Sequence, residues 1–117
     1  MTKANLKKQK SKSKLQDIFD IGEKSVCKNF VAFFLSSPEQ TFSATIIASK
    51  KIGNAVIRNR SKRRLRELTR TYIKPNSPIN TRLILIARTA THNSKQSLLT
   101  KEGNYLVNKI LANKNTA

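Results

Sequence analysis

At 117 residues the chain has room for one domain with one core, not two. Apolar residues make up 38%, below the usual share of about 45–50%, while 24 Lys+Arg against 6 Asp+Glu give a net charge of +18. Such a balance calls for a polyanionic partner, nucleic acid first; no apolar run nears the ~18 residues of a membrane span, and a single cysteine, Cys27, excludes an internal disulfide framework or a cysteine-built zinc site.

Residues 1–14 hold six lysines and no acid, which predicts a basic arm over 1–13 that buries nothing. No apolar h-region follows it, so the expected compartment is the cytoplasm. The folded domain is expected over 14–112, with a short tail over 113–117. Ser13 and Gln16 have the spacing of a capping box. Leu15, Ile18 and Phe19 form one face of a short helix that Gly22 ends. Half of all the acids (Asp17, Asp20, Glu23) lie in this stretch.

Residues 24–36 and 42–49 read as strands, separated by the turn-forming Ser36–Gln40. Gly53-Asn54 offers a helix start, with Asn54 able to cap, and the helix is expected to run to Thr71 or Tyr72, before Lys74-Pro75. Arg82–Ala87 reads as another strand. Ser94 is expected to cap a last helix with Leu98, Leu99, Tyr105, Leu106 and Ile110 on its apolar face. Gly103 falls on that stripe, which predicts a close approach to the sheet.

The central helix carries the strongest signal. At about 100° per residue, Ile57, Ser61, Leu65, Leu68 and Tyr72 share one stripe. Asn59, Arg63, Arg66 and Arg70 occupy the opposite one. Arg58 and Lys62 flank it on one side, Arg60 and Arg64 on the other. Seven cations from residue 58 to 70 face a single acid, Glu67. A merely solvated face mixes signs for i,i+4 pairing; this one does not. Guanidinium forks take phosphate oxygens bidentately and stack on bases. Lys50 and Lys51 bring further charge to the helix N-terminus, where free amides also favour anions.

Residues 49–67 read SKKIGNAVIRNRSKRRLRE. This resembles the signature of the bacterial ribonuclease P protein component, whose hallmark is an Arg-Asn-Arg core, here Arg58-Asn59-Arg60, after Gly53-Asn54-Ala55-Val56. A looser likeness runs from about Leu6 to Ile110. The resemblance implies an α+β fold: a single-domain α-β sandwich of order αβββαβα, with a left-handed β-α-β crossover through the Arg-rich helix. It implies a protein subunit of ribonuclease P, which binds the catalytic RNA and the 5′ leader of precursor tRNA and assists endonucleolytic removal of that leader. The RNA-binding residues it points to are Lys50, Lys51, Asn54, Arg58, Asn59, Arg60, Lys62, Arg63, Arg66 and Arg70. The leader cleft falls on Leu15, Phe19 and Phe33. Here Leu15 stands where the family often has phenylalanine, Phe33 where it usually has tyrosine, and Ser61 where an aliphatic residue is usual.

The implied partners are the catalytic RNA, one-to-one, and precursor tRNA, with no membrane and no small-molecule substrate. No catalytic residue and no protein-held metal or cofactor is expected: six scattered acids and one histidine, His92, do not make a nuclease site. Mg²⁺ is expected through the RNA. Two other classes fit the charge, a small basic ribosomal RNA-binding protein and a DNA-binding regulator. The first lacks the 49–67 motif, and the second needs a partner helix where strand is expected. Phe19, Phe30, Phe33, Phe34 and Phe42 are each open to two readings, core or base-stacking. Tyr72 and Tyr105 read as packing, His92 as surface, and Cys27 as a small buried residue.

Overall fold

Alternation in Phe30–Ser36 sets the plan of the molecule. Phe30, Ala32 and Phe34 are buried on one face of the strand, while Val31, Phe33 and Leu35 lie half-buried on the other. Residues 15–112 are described by the structure, a computed structural model. Helix α1 spans 15–21 and is followed by strands β1 (Glu23–Val26), β2 (Phe30–Ser36) and β3 (Ser43–Ile47). A 3₁₀ turn over Lys50–Ile52 leads into α2 (Ala55–Leu68), which continues through a π turn (Thr69–Ile73) into the short α3 (Lys74–Asn76). Strand β4 (Thr81–Ala87), a 3₁₀ turn (Thr91–Asn93) and α4 (Gln96–Ala112) complete the described chain. The basic arm, Ser13 and the 113–117 tail lie outside the described residues.

The four strands form one sheet in the order β1-β2-β4-β3. β1 and β4 flank β2 antiparallel, with Val26 opposite Val31 and Phe30 opposite Ala87. β3 runs parallel to β4, Ser43 beside Arg82, so α2 is the crossover between neighbouring strands. The expected order αβββαβα therefore holds across the major elements. One sheet face, carrying Phe30, Ala32, Phe34, Leu83 and Leu85, packs against Leu65, Leu68 and Ile73 and against Leu99, Leu106, Val107 and Ile110 of α4. α1 lies on the other face, where Ile18 and Ile84 are buried. Gly22 lets α1 leave closely: a Cβ there would sit 2.4 Å from the Ile18 carbonyl oxygen and 2.7 Å from that of Phe34. Gln16 donates to Asp20 at 2.8 Å.

Four local expectations need correction. The stretch 24–36 is not one strand but a hairpin, broken at Cys27-Lys28-Asn29. The central helix does not stop before Lys74-Pro75. Pro75 has no N–H and its ring collides with the carbonyl four residues back in a regular helix. The π turn relieves this by widening: the Lys74 amide donates to Thr69, five residues back. Gly103 answers to a helix, not the sheet, since a Cβ there would lie 3.1 Å from Leu68 Cδ1. Ser94 does not cap α4; its hydroxyl lies 2.8 Å from the Ala90 carbonyl and donates to the Asn29 side chain.

That last contact belongs to a buried polar hub. Asn29 is only 1% exposed. Its carbonyl accepts from the Thr91 hydroxyl. The Glu102 carboxylate accepts from the Lys28 amide at 3.1 Å, the Asn29 amide at 3.3 Å and Asn29 Nδ2 at 3.1 Å. One acid on α4 thus satisfies the hairpin turn. Beside the turn, burial first and the Glu102 charge second push the Cys27 thiol above its usual range, so it is a packed side chain and not a ready nucleophile.

Glu102→Ala strips acceptors from three donors at once. Unmade bonds to a charged group should cost about 2–3 kcal/mol. For a domain of this size that lowers Tm by roughly 10 °C or more, read by calorimetry. A shift under about 2 °C would show that water replaces the carboxylate.

Candidate nucleic-acid interface

The approach to α2 depends on a backbone only glycine adopts easily. Gly53 has φ of 150°, and a Cβ there would lie 2.9 Å from the Ile57 side chain. Asn54 then caps the helix, its Oδ1 accepting from the Ile57 amide at 3.0 Å. Lys50 and Lys51 are exposed on the 3₁₀ turn just before it.

Along α2 the two stripes separate as the periodicity predicts. Ser61 and Leu65 are fully buried, Leu68 nearly so, and Ile57 and Tyr72 are half-buried. Asn59, Arg63, Arg66 and Arg70 are all exposed on the far side, with Arg60 beside them. Ser61 is content in the core because its hydroxyl donates to the Ile57 carbonyl at 2.9 Å. Arg70 pairs with Glu67 at 2.8 Å, but both side chains are more than half exposed, so a phosphate can displace the acid at little cost.

The flanking cations differ from the exposed row. Arg58 and Lys62 are half-buried. Arg64 is a structural residue: it donates to the Thr91 carbonyl at 3.0 Å and to Gln96 Oε1 at 3.4 Å, tying α2 to the hub. Periodicity could place Arg64 only at the edge of the stripe; its partners come from a part of the chain 27 and 32 residues away.

On the opposite sheet face, α1 overhangs a cleft. Phe19 and Phe33 meet edge to face, ring centroids 5.0 Å apart. Lys24 Nζ lies 5.7 Å from the Phe33 centroid. A hollow of about 210 Å³ continues the cleft, lined among others by Leu15, Ile18, Ser43, Thr45 and Arg82, the last paired with Glu39 of the same lining at 3.4 Å. Leu15, Phe19 and Phe33 are thus on one surface. Lys24, Arg82 and the hydroxyls of Ser43 and Thr45 were missed in the sequence. The signal was present in β3, where Ser43 and Thr45 put hydroxyls at alternate positions of a strand.

The phenylalanines divide by register. Phe30 and Phe34 are core, Phe42 is half-buried against it, and Phe19 and Phe33 remain partly open in the cleft. Tyr72 donates to Asn104 at 2.7 Å. Tyr105 is not packed: it is 51% exposed under Lys109. His92 is half-buried, Nδ1 3.0 Å from the Thr89 carbonyl. Among the described residues no group of three or more His, Cys, Asp or Glu is placed to hold a metal ion.

A small α+β domain with one helix turned into a cation row is a polyanion-binding class of protein. The sequence profile described as Ribonuclease P matches residues 3–111. The ribonuclease P protein component of Brevibacillus brevis is 39% identical over 80 residues, 68% of this chain and 63% of that protein. That of Ligilactobacillus salivarius is 38% identical over 80 residues, 68% of this chain and 70% of its own. The solved Staphylococcus aureus RNase P protein superposes with a TM-score of 0.67 at 28% identity, covering 85% of this chain and 89% of its own. The Thermotoga maritima RNase P protein, 23% identical with a TM-score of 0.64, shares the fold. The chain belongs to the ribonuclease P protein family. Its aligned stretch spans less than two thirds of the Brevibacillus relative, 63%.

Neighbouring arginines on α2 should separate under mutation. Arg63→Ala should leave stability within about 0.5 kcal/mol, as an exposed substitution does. Arg64→Ala should cost about 1.5–3 kcal/mol through its lost bond to the Thr91 carbonyl. Urea unfolding of the two variants checks this; equal midpoints would mean that Arg64 is as free as Arg63.

Proposed function

We propose that the chain is the protein subunit of ribonuclease P, binding the catalytic RNA one-to-one in the cytoplasm and holding the 5′ leader of precursor tRNA. The observation that carries this reading is the pairing of two unlike surfaces on one small sheet. One is the exposed row Asn59, Arg63, Arg66 and Arg70, continued by Arg60 and by Lys50 and Lys51. The other is the aromatic cleft of Phe19 and Phe33, on the far face.

The row suits phosphate. Its guanidinium groups hold backbone oxygens and relieve repulsion between two RNAs brought together. Asn54 acts through the cap it provides, and Arg58 and Lys62 broaden the row at its flank. The cleft suits single-stranded leader. Bases that are not paired offer free faces to Phe19 and Phe33, Leu15 supplies apolar contact, and Lys24 supplies positive charge along the path. Mg²⁺, held by the RNA, would supply the activated water for hydrolysis. The protein's share is to bind and orient the substrate at that centre, and none of its side chains is assigned a proton transfer.

Replacing Arg63, Arg66 and Arg70 with alanine should weaken binding to the catalytic RNA. It should also reduce the salt slope of log K by roughly 0.7–0.9 per lost phosphate contact. An unchanged slope from a folded variant would remove the row from the interface.

Leader binding predicts a different signature. Phe19→Ala with Phe33→Ala should reduce holoenzyme affinity for precursor tRNA by about tenfold, as the loss of stacking on one base would, and spare mature tRNA, which has no leader. Equal losses for both tRNAs, with circular dichroism and catalytic-RNA binding intact, would refute the cleft assignment alone.

A further inference from the structure

A second concave surface lies where the Arg row meets the edge of the sheet. Its floor is Phe42, Ala44 and Ile46, and its wall is Arg66, Arg70 and Lys74, enclosing about 440 Å³. A second basin of about 480 Å³ shares Phe42, Arg70 and Lys74 and runs on past Pro75 and Ile79. Each volume is within the roughly 300–1,000 Å³ of ligand sites. No acid lines either basin. Ala44 and Ile46 pair beside Leu83 and Leu85, so this trough opens on the sheet face opposite the α1 cleft.

The wall is shaped by the π turn. In an unbroken α-helix, residues eight apart overshoot two turns by about 80°. The wider turn at Thr69–Ile73 takes up part of that drift, keeping Lys74 alongside Arg66 and Arg70.

We infer that the trough is a binding site for unpaired RNA, bases lying against Phe42 and phosphates on Arg66, Arg70 and Lys74. This rests on the RNA-binding function proposed above. An apolar protein segment would bury Arg66 and Lys74 with no acid lining the trough to meet them, which is costly. Duplex RNA keeps its base faces stacked inside; only an unpaired strand brings a ring and a phosphate together. Aromatic floor and cationic rim are the combination such strands use. Two basins sharing one phenylalanine suit successive nucleotides.

The test uses the full chain and a hexauridylate RNA carrying 5-iodouridine, photocrosslinked and mapped by mass spectrometry. Crosslinks on Phe42 are expected. Crosslinks confined to Phe19 or Phe33 overturn the trough and leave the leader cleft standing; none at any of the three overturns both. Affinity is then measured in a Phe19→Leu, Phe33→Leu background that silences the cleft. There Phe42→Leu keeps apolar volume but loses the ring, and should weaken hexauridylate binding about tenfold, with Phe42→Trp restoring it. Lys74→Ala, an exposed change that does not threaten folding, should lower the salt slope by about 0.7. Undiminished affinity in Phe42→Leu, or an unchanged slope in Lys74→Ala, overturns the inference.

Discussion

Everything in this molecule hangs on a narrow apolar stripe of α2 being buried against the sheet. Leu65 and Leu68 supply almost all of it, with Ser61 tolerated because its hydroxyl folds back on the helix. Burying a leucine is worth about 1.5–3 kcal/mol, and two of them must hold a helix whose other residues are mostly cations. The sheet side of α2 therefore cannot rotate. Because it cannot, the opposite side is fixed as well, and a row of arginines is held outward with only the exposed Arg70–Glu67 pair for a bond of its own. The hub adds the second restraint: Arg64 fastens α2 to the turn that Asn29, Thr91 and Glu102 build. A charge excess that would unsettle an isolated helix is borne by its attachment to neutral parts.

The division of labour between faces follows from β-strand geometry. β2 sends Phe34 into the core and its neighbour Phe33 into the cleft, one residue apart. Central β4 does the same with Leu83 and Leu85 against Ile84. A four-stranded sheet this small can still carry two unlike surfaces, since α1 covers only part of the second face. In the ribonuclease P protein family to which the chain belongs, that economy keeps the proposed catalytic-RNA and leader contacts apart while joining them through a rigid sheet.

Legibility in the sequence tracked the range of the interactions involved. The stripes of α2 were readable because they depend on period alone, and Asn54 as its cap because the bond spans three residues. The αβββαβα order rested on family likeness; residues alone left 24–36 as one strand. No glycine or proline marks the turn at Cys27–Asn29, because its amides are satisfied by Glu102 from the far end of the chain. Pro75 misled in the opposite sense, its usual meaning overridden by a π turn. For Gly103 the stripe was right and the neighbour wrong, since periodicity gives a direction but not what lies there. The cleft's Phe19 and Phe33 came from resemblance; their edge-to-face contact, and the cation beside it, needed three dimensions.

The pairing of β2 with β4 bears on how the chain reaches this state. Phe30 finds Ala87 only after nearly half of the polypeptide has intervened. Contacts so remote in sequence are slow to close, because the loop entropy comes first and the reward last. A hairpin of β1 and β2 and a nascent α2 are local and can flicker early. Neither has a complete core until Thr81–Ala87 arrives between β2 and β3. During synthesis, then, the segment FVAFFL waits with an unpaired edge, aromatic and β-prone, the kind of stretch that self-associates. The net charge of +18 carried by the whole chain acts meanwhile as a gatekeeper, since like-charged chains repel before their strands can meet. The same lysines and arginines that face outward in the finished protein thus guard the unfinished one.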